Sequence, residues 1–240
     1  TDLTSDLVGE FPELQGLMGG YFSTYQGFDK DISLAITEQY LPIGLDSQVP
    51  KKPFSVALSI TDKLDTIVGF FGINEKPTSS KDPLALRRTA LGIIRTIIEN
   101  KKNLRLNDLL NYSSSLYEDQ GYNLINKDLQ KELFNFLKDR FRYYLKEKKI
   151  RYDIIDASIS SFSLNKLFSS YEKARCLNKI IGNQIGADIT SSYKRASNIL
   201  QSEMKNNEIE ISNTTDPGIF KNDFEKNLFK KINEIKKYYS

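Results

Sequence analysis

The chain has 240 residues, of which 39% are hydrophobic, so it can bury a sizeable core in one large domain or two modest ones. It contains no histidine, which excludes Ser-His-Asp and Cys-His catalysis, histidine-bearing zinc sites and the usual proton shuttle near neutral pH. The net charge of +3 is too small to indicate a nucleic-acid binder by itself, so the distribution of the 34 Lys and Arg residues matters more than their total.

The amino-terminal sequence has neither an initiator Met nor a basic-then-apolar signal pattern, and no stretch resembles a membrane span. We therefore expect an excised fragment of a longer cytosolic chain that makes no membrane contact. The single cysteine, Cys176, excludes an internal disulfide and fits a reducing compartment. We expect it to be a small, buried or half-buried residue of a helix.

Turn signals separate several short helices in the first part of the chain, and a longer helix is predicted at residues 54–71. Its apolar residues recur at helical spacing, which indicates a core helix. Asp62 and Asp65 lie three residues apart and share one side of it. Such a carboxylate pair can hold a divalent metal or divide acid and base roles, but the neighbouring Lys63 equally favours ordinary surface pairing.

The stretch "GFFGINEKPTSSKDPLALRR", residues 69–88, is either a phosphate-binding loop or a capped helix start. It lacks the GxxxxGK[ST] spacing and follows a helix instead of a strand, which excludes a nucleotide-cradling loop of that type. Asp82 can cap a helix whose first position is Pro83. One phosphate could still be held beside this helix start by Ser79, Ser80 and Lys81, although the capping carboxylate would repel an anion.

The helix that follows has an apolar stripe formed by Leu86, Ala90, Ile93, Ile94 and Ile97. Arg88, Arg95 and Glu99 are expected on the side opposite this stripe. Arg87 falls near the edge of the stripe, so it either lies along apolar surface with its charge in water or points at a specific group.

A polar connector at residues 101–123, which holds a short helical piece, marks a candidate boundary, and a strongly periodic helix is predicted at 128–149. The polar face of this helix is either solvated or a surface that meets phosphates, and carries Lys131, Lys138, Arg142, Lys146 and Lys149. Further helices are predicted at 152–162, at 164–181, at 187–205 and after an Asp216–Pro217 start signal. No period-two strand pattern is present, so we predict an all-α fold.

Four stretches closely resemble the beta subunit of bacterial, heterotetrameric glycyl-tRNA synthetase. They are "LVGEFPELQGLMGGYF" at 7–22, "AITEQYLP" at 35–42, "DKLDTIVGFFGINEKPTSSKDPLALRRTALGIIR" at 62–95 and "SYKRASNIL" at 192–200. The spacing between them also matches, and the resemblance covers essentially the whole chain. It corresponds to the carboxyl-terminal third of that subunit.

The resemblance implies an HD-like helical domain at 1–105, a helical body or connector at 106–165, and part of a helical, DALR-like anticodon-binding domain at 166–240. It also implies a cytoplasmic heterotetramer in which the alpha subunit carries the class II active site, with ATP, Mg²⁺ and glycine. The beta subunit would supply most of the tRNA recognition. The implied partners are tRNA-Gly and the alpha subunit, while the fragment alone would hold no cofactor and no catalytic residue.

HD phosphohydrolases, which the first domain resembles in fold, bind metal through histidines and aspartates. Asp62 falls at their final aspartate, but "GEFPE" stands where a His-Asp pair would be. Position 39 is Gln, where some relatives in the synthetase family have His. We therefore expect no metal site, with Asp62 as a vestige that orders local structure.

The basic residues of the matching stretches are the candidate tRNA contacts. They are Lys63, Lys76, Lys81, Arg87 and Arg88 in the HD-like part and Lys194 and Arg195 in the anticodon-binding part. We expect them to bind phosphates and to position the RNA backbone, which makes binding salt-dependent.

Two alternatives to tRNA binding remain open. One is a degenerate, metal-dependent phosphohydrolase of the HD type, built on Asp62, Asp65 and either Glu10 or Glu13. The other is a structural module that serves chiefly as a scaffold and subunit interface.

Overall fold

The computed structural model describes residues 2–44, 46–78, 80–206 and 215–239. Within these ranges it contains eleven α-helices, three short 3-10 helices and no strand, which confirms the predicted all-α fold class. None of these described helices is long and apolar enough to cross a membrane. The α-helices in chain order are α1 (Asp6–Glu10), α2 (Leu17–Tyr25), α3 (Lys30–Glu38), α4 (Pro53–Gly72), α5 (Leu86–Glu99), α6 (Leu106–Asp119), α7 (Leu129–Glu147), α8 (Tyr152–Ser160), α9 (Leu167–Ile181), α10 (Gln184–Asn206) and α11 (Asp223–Tyr239).

The chain forms two compact units, a first unit at Thr1–Asn183 and a second unit at Gln184–Ser240. The predicted three-part division at residues 105 and 165, and the HD-like character of the first part, remain predictions.

The core of the first unit is one apolar cluster to which α4 to α9 all contribute. The two helices predicted at 54–71 and 128–149 are confirmed as α4 and α7. Ile67 of α4, Ile94 of α5 and Leu137 of α7 are fully buried, because apolar residues at helical spacing give each helix one face that can leave water only by packing on another. The helix α5 lies against both α4 and α7.

The start of α5 differs from the sequence prediction. Asp82 does cap the helix, since its two carboxylate oxygens accept the amides of Leu86 and Arg87 at 2.9 and 3.0 Å. The helix begins at Leu86, however, and Pro83 lies outside it. The cause is Ala85, whose left-handed backbone (φ 54°) interrupts the chain between the proline and the first helical turn.

Part of the predicted polar connector is a regular helix. The side chains of Leu106 and Leu110 on α6 are fully buried in the core of the first unit. These two residues lie four apart on one face of α6, and that face anchors the helix in the core.

Cys176 is exposed on α9, so the expectation of a buried or half-buried side chain is wrong. Ala174, two residues earlier, is fully buried. Residues two apart on a helix point about 200° apart, which places Cys176 on the outer face.

The second unit contains α10 and α11. The predicted start signal at Asp216 forms a 3-10 helix, in which Oδ1 of Asp216 accepts the amide of Gly218 at 2.8 Å, and α11 begins only at Asp223. Both helices have apolar residues at helical spacing that are exposed. On α10 these are Ile185, Ile189, Tyr193, Leu200 and Met204, and on α11 they are Phe224, Leu228, Ile232 and Ile235.

Candidate nucleic-acid interface

An open cavity of about 440 Å³, here called the arginine cavity, lies between α5, α7 and the segment that precedes α4. Four of its lining residues are arginines, and none of the described lining residues is acidic. This composition gives the cavity a positive potential that attracts anions. The lining residues are Pro42, Gly44, Arg87, Arg88, Leu91, Gly92, Arg95, Arg140 and Tyr143.

The wall from α5 is rigid, because the helix is buried on almost every side. Residues 90–98 are all buried, so the helix cannot shift without disturbing the core. Its cavity-lining residues recur at spacings of three and four, which places them on one face.

Arg95 holds the rim of the arginine cavity, which is the part of the segment preceding α4 that contains Gly44 and Ser47. Its side chain is only 9% exposed. Nη1 donates to the carbonyl of Gly44 at 2.6 Å, Nη2 donates to the carbonyl of Ser47 at 2.7 Å, and Nε donates to Glu99 at 2.9 Å. Arg95 is therefore buried although it was expected opposite the apolar stripe, because the segment preceding α4 folds over that side of α5.

Two other arginines keep donors available for a ligand. Arg88 is exposed and makes no hydrogen bond or ion pair within the described part of the chain. The guanidinium of Arg140 lies 5.8 Å from the ring centroid of Tyr143 and makes no hydrogen bond or ion pair with a described residue; its Nε is buried, so its two Nη atoms are the donors that a ligand can reach. Arg87 is half-buried and donates from Nη2 to the carbonyl of Thr78, which ties the preceding loop to α5.

Lys63 is not at the surface, although the sequence placed it among the phosphate contacts. Its side chain is 5% exposed, and its ammonium donates to the carbonyl of Gln39 at 3.0 Å and to Oγ of Ser59 at 2.8 Å. Burial lowers the pKa of Lys63 to about 8, and the carboxylate of Asp62 only partly opposes this shift. The stem of Lys63 packs beneath Gly92, where an added Cβ would lie 3.1 Å from its Cε.

Lys76 and Lys81 have different surroundings. Nζ of Lys76 lies 2.6 Å from Oε2 of Glu132, and hydrogen bonds from Lys76 and Asn126 lower the pKa of the Glu132 carboxyl. Lys81 is exposed, and its side chain has no partner among the residues that the structure describes. The charge of Lys76 is thus already matched, whereas that of Lys81 is not.

The loop before α5 offers little to a single phosphate. Ser79 lies outside the described residues, and Ser80 is exposed. The amides of Leu86 and Arg87 already donate to Asp82. An anion at this helix start would compete with a carboxylate for those two amides.

The predicted carboxylate pair is divided between different roles. Oδ1 of Asp62 accepts a hydrogen bond from Nε2 of Gln39 at 3.1 Å, and Asp65 is exposed. Within the described ranges, no group of three or more His, Cys, Asp or Glu side chains is placed to hold a metal ion. Asp62 and Asp65 are therefore not gathered there with Glu10 or Glu13.

Lys194 and Arg195 lie on α10 in the second unit, where both side chains are exposed. Of the nine described residues that line the arginine cavity, only Arg87 and Arg88 were selected from the sequence; Arg140 and Tyr143 were not. Arg140 carries a usable signal, because it continues the spacing of Leu133 and Leu137 toward Tyr144 and so lies on the buried side of α7.

Comparison with known proteins gives one consistent result. A family model described as "Glycyl-tRNA synthetase beta subunit" matches residues 1–160. The chain is 41% identical over 236 residues to the Glycine--tRNA ligase beta subunit of Rickettsia canadensis, covering 98% of this chain and 33% of the relative. It is 36% identical over 252 residues to the protein of the same name from Dinoroseobacter shibae, covering 95% and 35%. The chain thus spans about a third of the length of the curated relatives it matches.

Proposed function

This chain belongs to the family of glycyl-tRNA synthetase beta subunits, and from that premise we propose that it is a tRNA-binding part of such a subunit. It supports the ATP-dependent charging of tRNA-Gly without performing the chemistry itself. ATP, Mg²⁺ and glycine belong to the alpha subunit, which is the protein partner, and the complex works in the cytoplasm. This division of labour follows from the family resemblance.

The observation that carries the proposal is the arginine cavity. Two of its guanidinium groups, on Arg88 and Arg140, have donors that no described residue uses, and no acidic side chain among the described lining residues neutralises them. Arginine presents planar, bidentate donors that fit phosphate oxygens. RNA is the polyanion that the family relationship brings to this surface.

The contact set differs from the one expected from sequence. Arg87, Arg88 and Lys81 remain proposed phosphate contacts, and Arg140 joins them. Lys63 is placed instead in a supporting role beneath the cavity wall, and Lys76 contributes less because Glu132 already pairs with it. Lys194 and Arg195 remain proposed contacts in the second unit.

The test is a salt titration of binding to tRNA-Gly and to an unrelated tRNA. The double variant Arg87→Gln/Arg88→Gln should weaken binding to both RNAs and reduce the slope of log K against log salt by about 1.5, since each lost phosphate contact removes about 0.7 to 0.9. The matched control is Arg105→Gln/Arg151→Gln, which removes the same charge from two exposed residues that do not line the cavity. It should change the slope by much less.

Three outcomes would contradict the proposal. Absence of tRNA binding at low salt would overturn it for this chain. An equal effect of both double variants would mean that tRNA binding depends only on the net charge of the chain. If Arg87→Gln/Arg88→Gln left tRNA binding unchanged but weakened association with the alpha subunit, the scaffold and interface alternative would be favoured.

The phosphohydrolase alternative has no observation in its favour among the described residues. Asp62 is hydrogen-bonded to Gln39 instead of facing other carboxylates. Turnover of a phosphodiester with Mn²⁺ that the substitution Asp62→Ala abolishes would reinstate that alternative.

A further inference from the structure

We infer that the arginine cavity takes one unpaired nucleotide of the bound RNA, with its phosphate at Arg88 and Arg140 and its base against Tyr143. This inference deepens the proposed function and rests on it. It concerns which form of RNA the site selects, whereas the proposed function requires only that phosphates are bound.

The volume of the cavity favours a single nucleotide. At about 440 Å³ it falls in the range of pockets that enclose a small molecule. A double-stranded RNA keeps its bases stacked inside and presents phosphates and sugars on its outside, so it would use cations on a convex surface. A concave site can be filled only by a nucleotide that leaves the base stack of the RNA and enters the cavity.

The lining divides into a cationic part and an apolar part. Arg88 and Arg140 offer unused donors, while Pro42, Leu91 and the ring of Tyr143 provide apolar surface. Single-stranded nucleic acids are typically bound by this combination of cations for the backbone and an aromatic face for a base. Phosphate binding alone would leave the apolar part unexplained.

Tyr143 is placed to receive a base. Its side chain is 36% exposed and lines the cavity, and the guanidinium of Arg140 lies over its ring. Arg140 thus connects the two parts, since its guanidinium lies over the aromatic ring and its Nη atoms make no hydrogen bond with a described residue. Buried Arg95 holds the rim in place, so the site is formed before the nucleotide arrives.

The experiment compares one RNA sequence as a labelled single strand and as a duplex, each titrated with the 240-residue chain. Tyr143→Leu should weaken single-strand binding about fivefold or more, the size of one lost base stack, and leave duplex binding unchanged. Tyr143→Phe, which keeps the ring, should retain the affinity of the unmodified chain. Tyr152→Leu, at a tyrosine that is 71% exposed and lies outside the cavity, should change neither affinity.

A second set of variants tests the phosphate end of the site. Arg140→Gln should weaken the single strand more than the duplex. Arg142→Gln, two residues further on the same helix and paired with Asp156, should affect both equally and slightly. A nucleoside monophosphate should displace the single strand only at far higher concentration, because the neighbouring phosphates of the RNA also contribute.

The outcomes separate this inference from the function on which it rests. RNA binding that Arg88→Gln weakens but Tyr143→Leu leaves unchanged would overturn the unpaired-nucleotide site and leave the proposed function standing. Displacement by the monophosphate at equal concentration would overturn RNA as the source of the nucleotide. Failure to bind either RNA at low salt, with melting curves that show a folded chain, would overturn both.

Discussion

The helices α5 and α10 look alike in sequence and differ in structure. Each has an apolar face at helical spacing and an adjacent basic pair, Arg87–Arg88 on one and Lys194–Arg195 on the other. The apolar residues of α5 are all buried in the core of the first unit, whereas Ile189 and Tyr193 on α10 are 59% and 73% exposed. Periodicity therefore predicts that a face exists, but not whether that face is covered within its own unit.

The same contrast holds for charge. On α5, packing sorts the arginines into different roles: Arg95 is buried and holds a rim, Arg87 ties down a loop, and Arg88 is free to meet a ligand. On α10, Lys194 and Arg195 are both simply exposed. Specific roles for charged residues arise where a helix has neighbours on several sides.

Core truncation should show the largest difference between the two units. Phe141 is fully buried and stacks on Phe162 with ring centroids 5.0 Å apart, so Phe141→Ala should lower the free energy of unfolding by about 3 to 5 kcal/mol. Phe224 on α11 is 86% exposed, and Phe224→Ala should change it by less than about 0.5 kcal/mol. Urea unfolding followed by circular dichroism measures both. Equal losses would mean that the apolar face of α11 is covered in solution.

Lys63 gives the next largest effect, and its sign depends on pH. Its pKa falls from 10.5 to about 8 on folding, so between these pH values the unfolded chain binds a proton that the folded chain does not. Stability should therefore rise with pH across this window, by at most roughly 3 kcal/mol. Lys63→Met should remove this gain.

The control for Lys63 is Lys194→Met, which replaces a lysine whose side chain is exposed. This variant should keep the rise in stability that the unmodified chain shows from pH 8 to 10.5. Urea unfolding midpoints measured from pH 8 to 10.5 show whether the stability of each variant rises with pH. A Lys63→Met curve parallel to that of the unmodified chain would contradict the lowered pKa of Lys63.

The smallest effect should come from the two capping aspartates. Asp82→Ala removes an acceptor from two amides at the start of α5 and should cost about 1 to 2 kcal/mol. Asp216→Ala removes one exposed hydrogen bond beside a 3-10 helix and should cost less than about 0.5 kcal/mol. The melting temperatures of the two variants show which substitution costs more stability. A larger loss for Asp216→Ala would reverse the comparison between the units.

The sequence was sufficient for the long helices and insufficient for their exact starts. The helices α4 and α7 were predictable because many apolar residues repeat at one period. The start of α5 was misplaced because Asp82 and Pro83 form a strong local signal, while the left-handed turn at Ala85 depends on how the chain enters the core. Cys176 was misassigned because the type of a single helical residue says little about which face of the helix it occupies.

The candidate site was harder to predict than the fold, for a physical reason. Lys63 and Arg140 each occupy a position on the apolar stripe of its helix, and a rule that sends charged residues to solvent misses both. Their surroundings are set by residues distant in sequence, such as Gln39 for Lys63 and the residues of α5 across the cavity from Arg140. Arg87 was closer, since its position at the edge of the stripe left open that it points at a specific group, and its Nη2 donates to the carbonyl of Thr78.

The hydrogen bonds from Arg95 to the carbonyls of Gly44 and Ser47 also affect the rate at which RNA associates. A rim that is already fastened to a buried helix does not have to close after a ligand arrives. Association at the arginine cavity should then be a single step, with an observed rate that rises linearly with RNA concentration and shows no slow phase. Differences in affinity among RNAs would appear mainly as differences in residence time.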